Sequence, residues 1–192
     1  MVKYAAGKTT VWWAILGLSV LTDLLLVPVA FALYLALRGI NRNAMLVATA
    51  FVGLFVVVDL AVTWSNYASL ITLSGSYATA RTDLQREGYV AAANYASAVL
   101  SSGLEAVYSI LTLSVGILLV GWVMLRGVFS RPTAYLGLAT GTLGTVAVAG
   151  RMLLGSSSVT VIIASVLTTV WLVLVGYRLF RLGQTARHAP GP

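Results

Sequence analysis

Long apolar runs broken by short polar stretches make up most of the chain from residue 11 onward, and the charged residues collect at the ends of the runs. A helix crossing a hydrocarbon core of about 30 Å needs about 20 consecutive apolar residues. Five segments reach that length: 11–37, 44–64, 106–125, 133–152 and 158–177. The first is interrupted only by Asp23 and Pro28. Its length and the lack of a small-residue cleavage site behind it argue for a retained span and against a secretory signal. The pattern predicts an all-α, five-span transmembrane bundle in one domain, residues 1–182, followed by a polar C-terminal tail, 183–192.

Residues 65–105 break the rhythm. The stretch 74–88 holds Arg81, Asp83, Arg86 and Glu87 and reads as the one substantial external loop. From residue 89 to 126 the sequence suits a helix, which as a single rod would be about 57 Å long. That exceeds a bilayer, so either its outer part projects as an extension or it breaks near Ser101, Ser102 and Gly103. Asn66-Tyr67-Ala68-Ser69 recurs as Asn94-Tyr95-Ala96-Ser97 on the far side of the loop, a match short enough to arise by chance.

Composition narrows the class. Of 192 residues, 59% are hydrophobic and 9% charged, where soluble domains carry about 25% charged residues. So much apolar surface excludes a soluble globular protein, and disorder as well. The bilayer is the first partner, and the cell membrane the expected location. There is no cysteine, and the single histidine, His188, lies in the polar tail. Thiolate, haem and histidine-ligated metal chemistry therefore lack ligands, and a histidine-based triad has no place in the membrane. No metal and no cofactor are expected. Asp23 and Asp59 bring intramembrane aspartyl proteases to mind, but Val56-Val57-Val58 stands before Asp59 where those enzymes have a glycine-containing motif. The Gly-rich fourth segment has no phosphate-loop lysine. No catalytic residue is assigned, and the expectation is a non-enzyme.

The net charge of +7 comes from basic residues set singly at run ends, which speaks for topology and against nucleic acid. Seven arginines (38, 42, 126, 131, 178, 181 and 187) fall on one face; Lys3, Lys8, Arg81 and Arg86 fall on the other. The imbalance places the N-terminus outside and the C-terminus in the cytoplasm. Trp12, Trp13, Trp64, Tyr34, Tyr67, Tyr135 and Tyr177 fall near span ends, as an aromatic belt would.

Ionisable groups within spans are costly and mark sites. Counted from the nearest cytoplasmic arginine, Asp23, Asp59, Arg151 and Glu105 lie about 22, 26, 30 and 32 Å in, all in the outer part of the bilayer. Asp59 shares a helical face with Thr63 and Asn66. Glu105 sits on a longer stripe with Asn94, Ala98, Ser101, Ser109, Thr112 and Gly116. Gly137, Gly141 and Gly144 give the fourth span a small-residue face for close helix packing, with Arg151 beyond it. The expectation is a Glu105–Arg151 ion pair at the outer end of the bundle, with Asp23 and Asp59 beneath. Such a cluster either fixes helix register or lines an outward-open pocket for a proton, a small cation or an amine.

Leu21-Thr22-Asp23, then Ala32-Leu33-Tyr34 leading to Asn41-Arg42-Asn43-Ala44, resembles part of a polytopic bacterial and archaeal integral membrane family catalogued only as a domain of unknown function. Val123-Met124-Leu125-Arg126, Phe129-Ser130-Arg131 and Tyr135-Leu136-Gly137-Leu138 resemble a later loop of that family. The likeness runs over residues 18–145. Family members commonly carry a further span near the N-terminus, which this sequence departs from. The resemblance implies a helical membrane protein with an acid at the position of Asp23, and no reaction.

Two functions remain in view. The first is a non-enzymatic assembly or accessory module, joining a homo-oligomer or a membrane-protein partner through its small-residue faces. The alternative is a small transporter or ligand-binding protein that uses the acids for a small cation or amine.

Overall fold

The computed structural model describes residues 9–127, 129–154 and 158–188. These residues form six helices: α1 Thr9–Leu37, α2 Arg42–Thr79, α3 Asp83–Leu100, α4 Gly103–Met124, α5 Arg131–Leu154 and α6 Ser158–His188. All except α3 are long and apolar enough to cross a membrane. Their ends fall within about three residues of the predicted spans, save where α2 and α6 run further. Lys3, Lys8 and residues 189–192 lie outside the described residues.

The predicted external loop is corrected to a helical hairpin. α2 continues past Trp64 to Thr79, residues 80–82 turn, and α3 begins at Asp83. Thr82 caps α3, its hydroxyl accepting from Gln85 N at 3.3 Å while Gln85 Oε1 accepts from Arg81 N at 3.1 Å. Leu70, Ala93 and Ala96 pack between the two arms, flanked by Tyr67, Leu73, Tyr77 and Leu100. This buried seam holds the polar stretch 74–79 in a helix, and Ser74 is fully buried.

The 89–126 rod is broken. Ser101 leaves the helical backbone, and the Ser102 hydroxyl accepts from Glu105 N at 3.2 Å, capping α4. At the C-terminus the first part of the polar tail is helical, because α6 runs on through Gly183 to His188. Its last residues lack the glycine–proline punctuation that would stop it before position 189.

The tightest packing joins α4 and α5, and glycine makes it possible. A Cβ on Gly141 would stand 2.7 Å from the Ser114 carbonyl oxygen, and one on Gly121 would stand 2.8 Å from Leu138 N. Gly144 lies against the Ser114 hydroxyl, and Gly137 against Gly121 and the Trp171 indole. The small-residue face on which assembly was expected is therefore filled from within the chain. Trp171 fastens α6 to this pair by donating from Nε1 to the Thr133 carbonyl at 3.1 Å.

Leu37, Met45, Met124, Trp171 and Val175 centre the main core. Gly127 faces Leu37 and Ile40, so the α1–α2 turn and the α4–α5 connection meet at one end. Arg38, Arg42, Arg126, Arg131, Arg178 and Arg181 gather there; the α2–α3 hairpin marks the other end.

Candidate functional site

Two π-helical stretches face each other toward the hairpin end, Asp59–Trp64 in α2 and Ala106–Leu111 in α4. A π turn carries more residues than an α turn and occurs often at functional sites. Here each lies beside an acid: Asp59 opens the first and Glu105 stands immediately before the second. The Thr63 hydroxyl and the Tyr108 hydroxyl approach to 3.5 Å across the gap.

Asp59 is 4% exposed, and its Oδ1 accepts from the Thr63 hydroxyl at 2.7 Å. Asp23, on α1, is also buried, at 9% exposed, and its Oδ2 accepts from the Trp64 indole Nε1 at 2.5 Å. The Trp64 ring lies 5.6 Å from that of Tyr67. Asp59 is close enough to feel the charges of both Asp23 and Glu105, and Tyr67 those of Asp59 and Glu105. The four groups thus form one electrostatic cluster.

Arg151 closes the more open side. Its Nη1 donates to Glu105 Oε2 at 3.1 Å, and its Nη2 to the carbonyls of Ser101 and Ser102 at 3.2 and 3.4 Å. Ser101 is the C-cap of α3 and Ser102 the N-cap of α4, so the guanidinium spans the break between the two helices. A planar guanidinium with several fixed donors serves both tasks at once, where a lysine would serve one. The two side chains keep 28% and 17% of their exposure, so the ion pair is the more exposed edge of the cluster and the aspartates lie deeper.

The predicted stripes are not continuous. Thr63 joins the cluster, but Asn66 donates to the Val62 carbonyl of its own helix at 2.8 Å. Asn94 is exposed on α3, among Tyr77, Asp83 and Arg86 of the hairpin. Ser101 contributes its carbonyl and turns its hydroxyl to Ala98 O. Ser109 is half-buried on the π stretch, and Thr112 donates to the Tyr108 carbonyl. The break at Ser101 and the extra residue of the π turn shift everything beyond them off the α-helical register.

Trp64, Tyr67 and Tyr108 are the participants that sequence reasoning missed. The first two were assigned to an aromatic belt, yet the Trp64 indole points inward to Asp23. A buried acid needs a hydrogen-bond donor, and that need was the available signal.

Three carboxyl groups lie within electrostatic reach of one another, and the single guanidinium touches only Glu105. Burying uncompensated charge is expensive. Among the described residues, no three acidic or histidine side chains stand together closely enough to hold a metal ion. No family model, curated protein or solved structure matches the chain.

Proposed function

We propose that this chain is a non-enzymatic, multi-pass protein of the cell membrane whose charged cluster binds a small organic amine or ammonium, with protons taking its place when it is absent. The arginine end faces the cytoplasm and the hairpin end faces outward. One observation carries the reading: three carboxyl groups and a single guanidinium converge on paired π turns, a costly arrangement in a bilayer. The scattered carboxyls suit a group with several N–H donors better than a bare metal ion. Small-residue packing between α4 and α5 leaves the assembly reading without the face on which it was built.

Thermal stability of the purified protein with ammonium, methylammonium, sodium and potassium salts tests this. Methylammonium or ammonium should raise Tm of the wild type by more than the alkali ions do, and Asp59→Asn should lose the rise. An equal response to all four salts overturns amine binding.

A second reading, in which the charges only join helices, is favoured by the partner that each acid already has within the chain: Trp64, Thr63 or Arg151. Uniform destabilisation by Asp23→Asn, Asp59→Asn and Glu105→Gln, with no ligand response, would establish it.

A further inference from the structure

A threonine inside a helix can settle its hydroxyl on its own backbone, bonding to the carbonyl four residues back. Thr22, Thr72, Thr140, Thr145 and Thr168 all do so, at 2.8–3.0 Å. Thr49 of α2 does not. Its hydroxyl oxygen is enclosed, yet it has no hydrogen-bond partner among the described residues. A buried hydroxyl in that state costs free energy, and the Met45 carbonyl, the usual remedy at four residues back, is not taken. What the hydroxyl borders instead is open space.

Thr49 stands on the wall of a void of about 30 Å³ between α1, α2, α4 and α6. Small side chains leave room there, Ala30 on α1 and Ala48 on α2. A water molecule needs about 10–15 Å³ of such space, so one fits, whereas an acyl chain or an aromatic ring does not. Thr168 of α6 lines the same void. Its hydrogen is committed to the Ala164 carbonyl at 2.8 Å, which leaves its oxygen able to accept. The Trp171 indole, also on the wall, already gives its N–H to the Thr133 carbonyl, and the remaining lining is aliphatic. Two hydroxyls on two different helices are thus the polar groups that the void offers.

We infer that this void is a binding site for a single water molecule, which accepts from the Thr49 hydroxyl and donates to that of Thr168. Two partners lie within the range that holds buried waters in place. An apolar guest of the same size would fill the space and leave Thr49 unsatisfied, at a cost. The water gives α6 a polar tie to α2, on the opposite side from the Trp171 bond that fastens it to α5. This site is separate from the charged cluster and does not depend on how that cluster functions.

The sign of one substitution tests the inference. Thr49→Val keeps the shape of the side chain and removes the hydroxyl, so with water in place it should lower Tm of the full-length protein by about 2–4 °C. In a dry void the same change removes an unsatisfied hydroxyl, and Tm stands still or rises; either result overturns the site. Thr168→Val should also lower Tm, and the double variant should lose less than the sum of the two singles because both hold the same water. Additive losses overturn the shared water. Water-edited solid-state NMR of the wild type in phosphatidylcholine bilayers gives a readout that needs no variant. Magnetisation should pass from water to Thr49 sooner than to Thr140, which is 2% exposed and whose hydroxyl is bonded to the Leu136 carbonyl. No difference between the two threonines overturns the inference.

Discussion

At the scale of single residues, Arg151 carries the most connections, binding one carboxylate and two helix-end carbonyls. Arg151→Met should therefore cost more than Glu105→Gln, because it orphans Glu105 and frees the Ser101 and Ser102 carbonyls together. With both side chains partly exposed, the loss should be about 1–3 kcal/mol, and the double variant should lose less than the sum of the two singles. Chemical denaturation of the four proteins in detergent measures this coupling. Trp64→Phe keeps the ring and deletes the donor to Asp23, so it should destabilise by about 1–3 kcal/mol, while Trp13→Phe, on an exposed position of α1, should change little. The four intramembrane charges were legible as a group, since ionisable residues in apolar runs stand out. Their hydrogen-bond partners were not, because Trp64 lies 41 positions from Asp23 in sequence and nothing in its spacing points inward.

The elements were legible wherever apolar periodicity alone shapes them, and five helices follow from run length. Where a helix is held by its neighbour, the sequence misled. Residues 74–79 read as loop on their polar content, and only the seam of Leu70, Ala93 and Ala96 makes them helical. The π turns were invisible for a related reason: an added residue alters the spacing by which faces are recognised. Glycine contacts give a sharp test at this scale. Gly141→Ala drives a methyl group into the Ser114 carbonyl and Leu118, and overpacking of that kind costs about 1–3 kcal/mol. Gly53→Ala meets nothing within 4 Å and should be neutral or stabilising, since glycine in a helix is the poorer former. Thermal melting of the two variants side by side separates packing from propensity.

For the whole molecule, the loosely held flanks are notable. Only 22% of the most apolar stretch of α1 and 17% of that of α6 is buried inside the chain, so most of both helices faces away from the bundle. The absence of native cysteine makes the orientation directly testable. Arg81→Cys, on the exposed hairpin turn, should react with a membrane-impermeant maleimide on intact cells; Gly39→Cys, at the arginine end with open space around it, should react only after lysis. The reverse pattern would invert the topology.

The paired π turns have a further mechanical meaning. Each α-helical residue advances the chain by about 100° and 1.5 Å, so a turn that holds one residue more than the α-helix resets the direction of everything past it. Were the Asp59–Trp64 stretch to relax to α geometry, the rest of α2 would swivel by about that angle and carry the hairpin around with it. The direction in which the hairpin points is thus a dial whose setting is read out at the protein surface and whose spindle passes through Asp59.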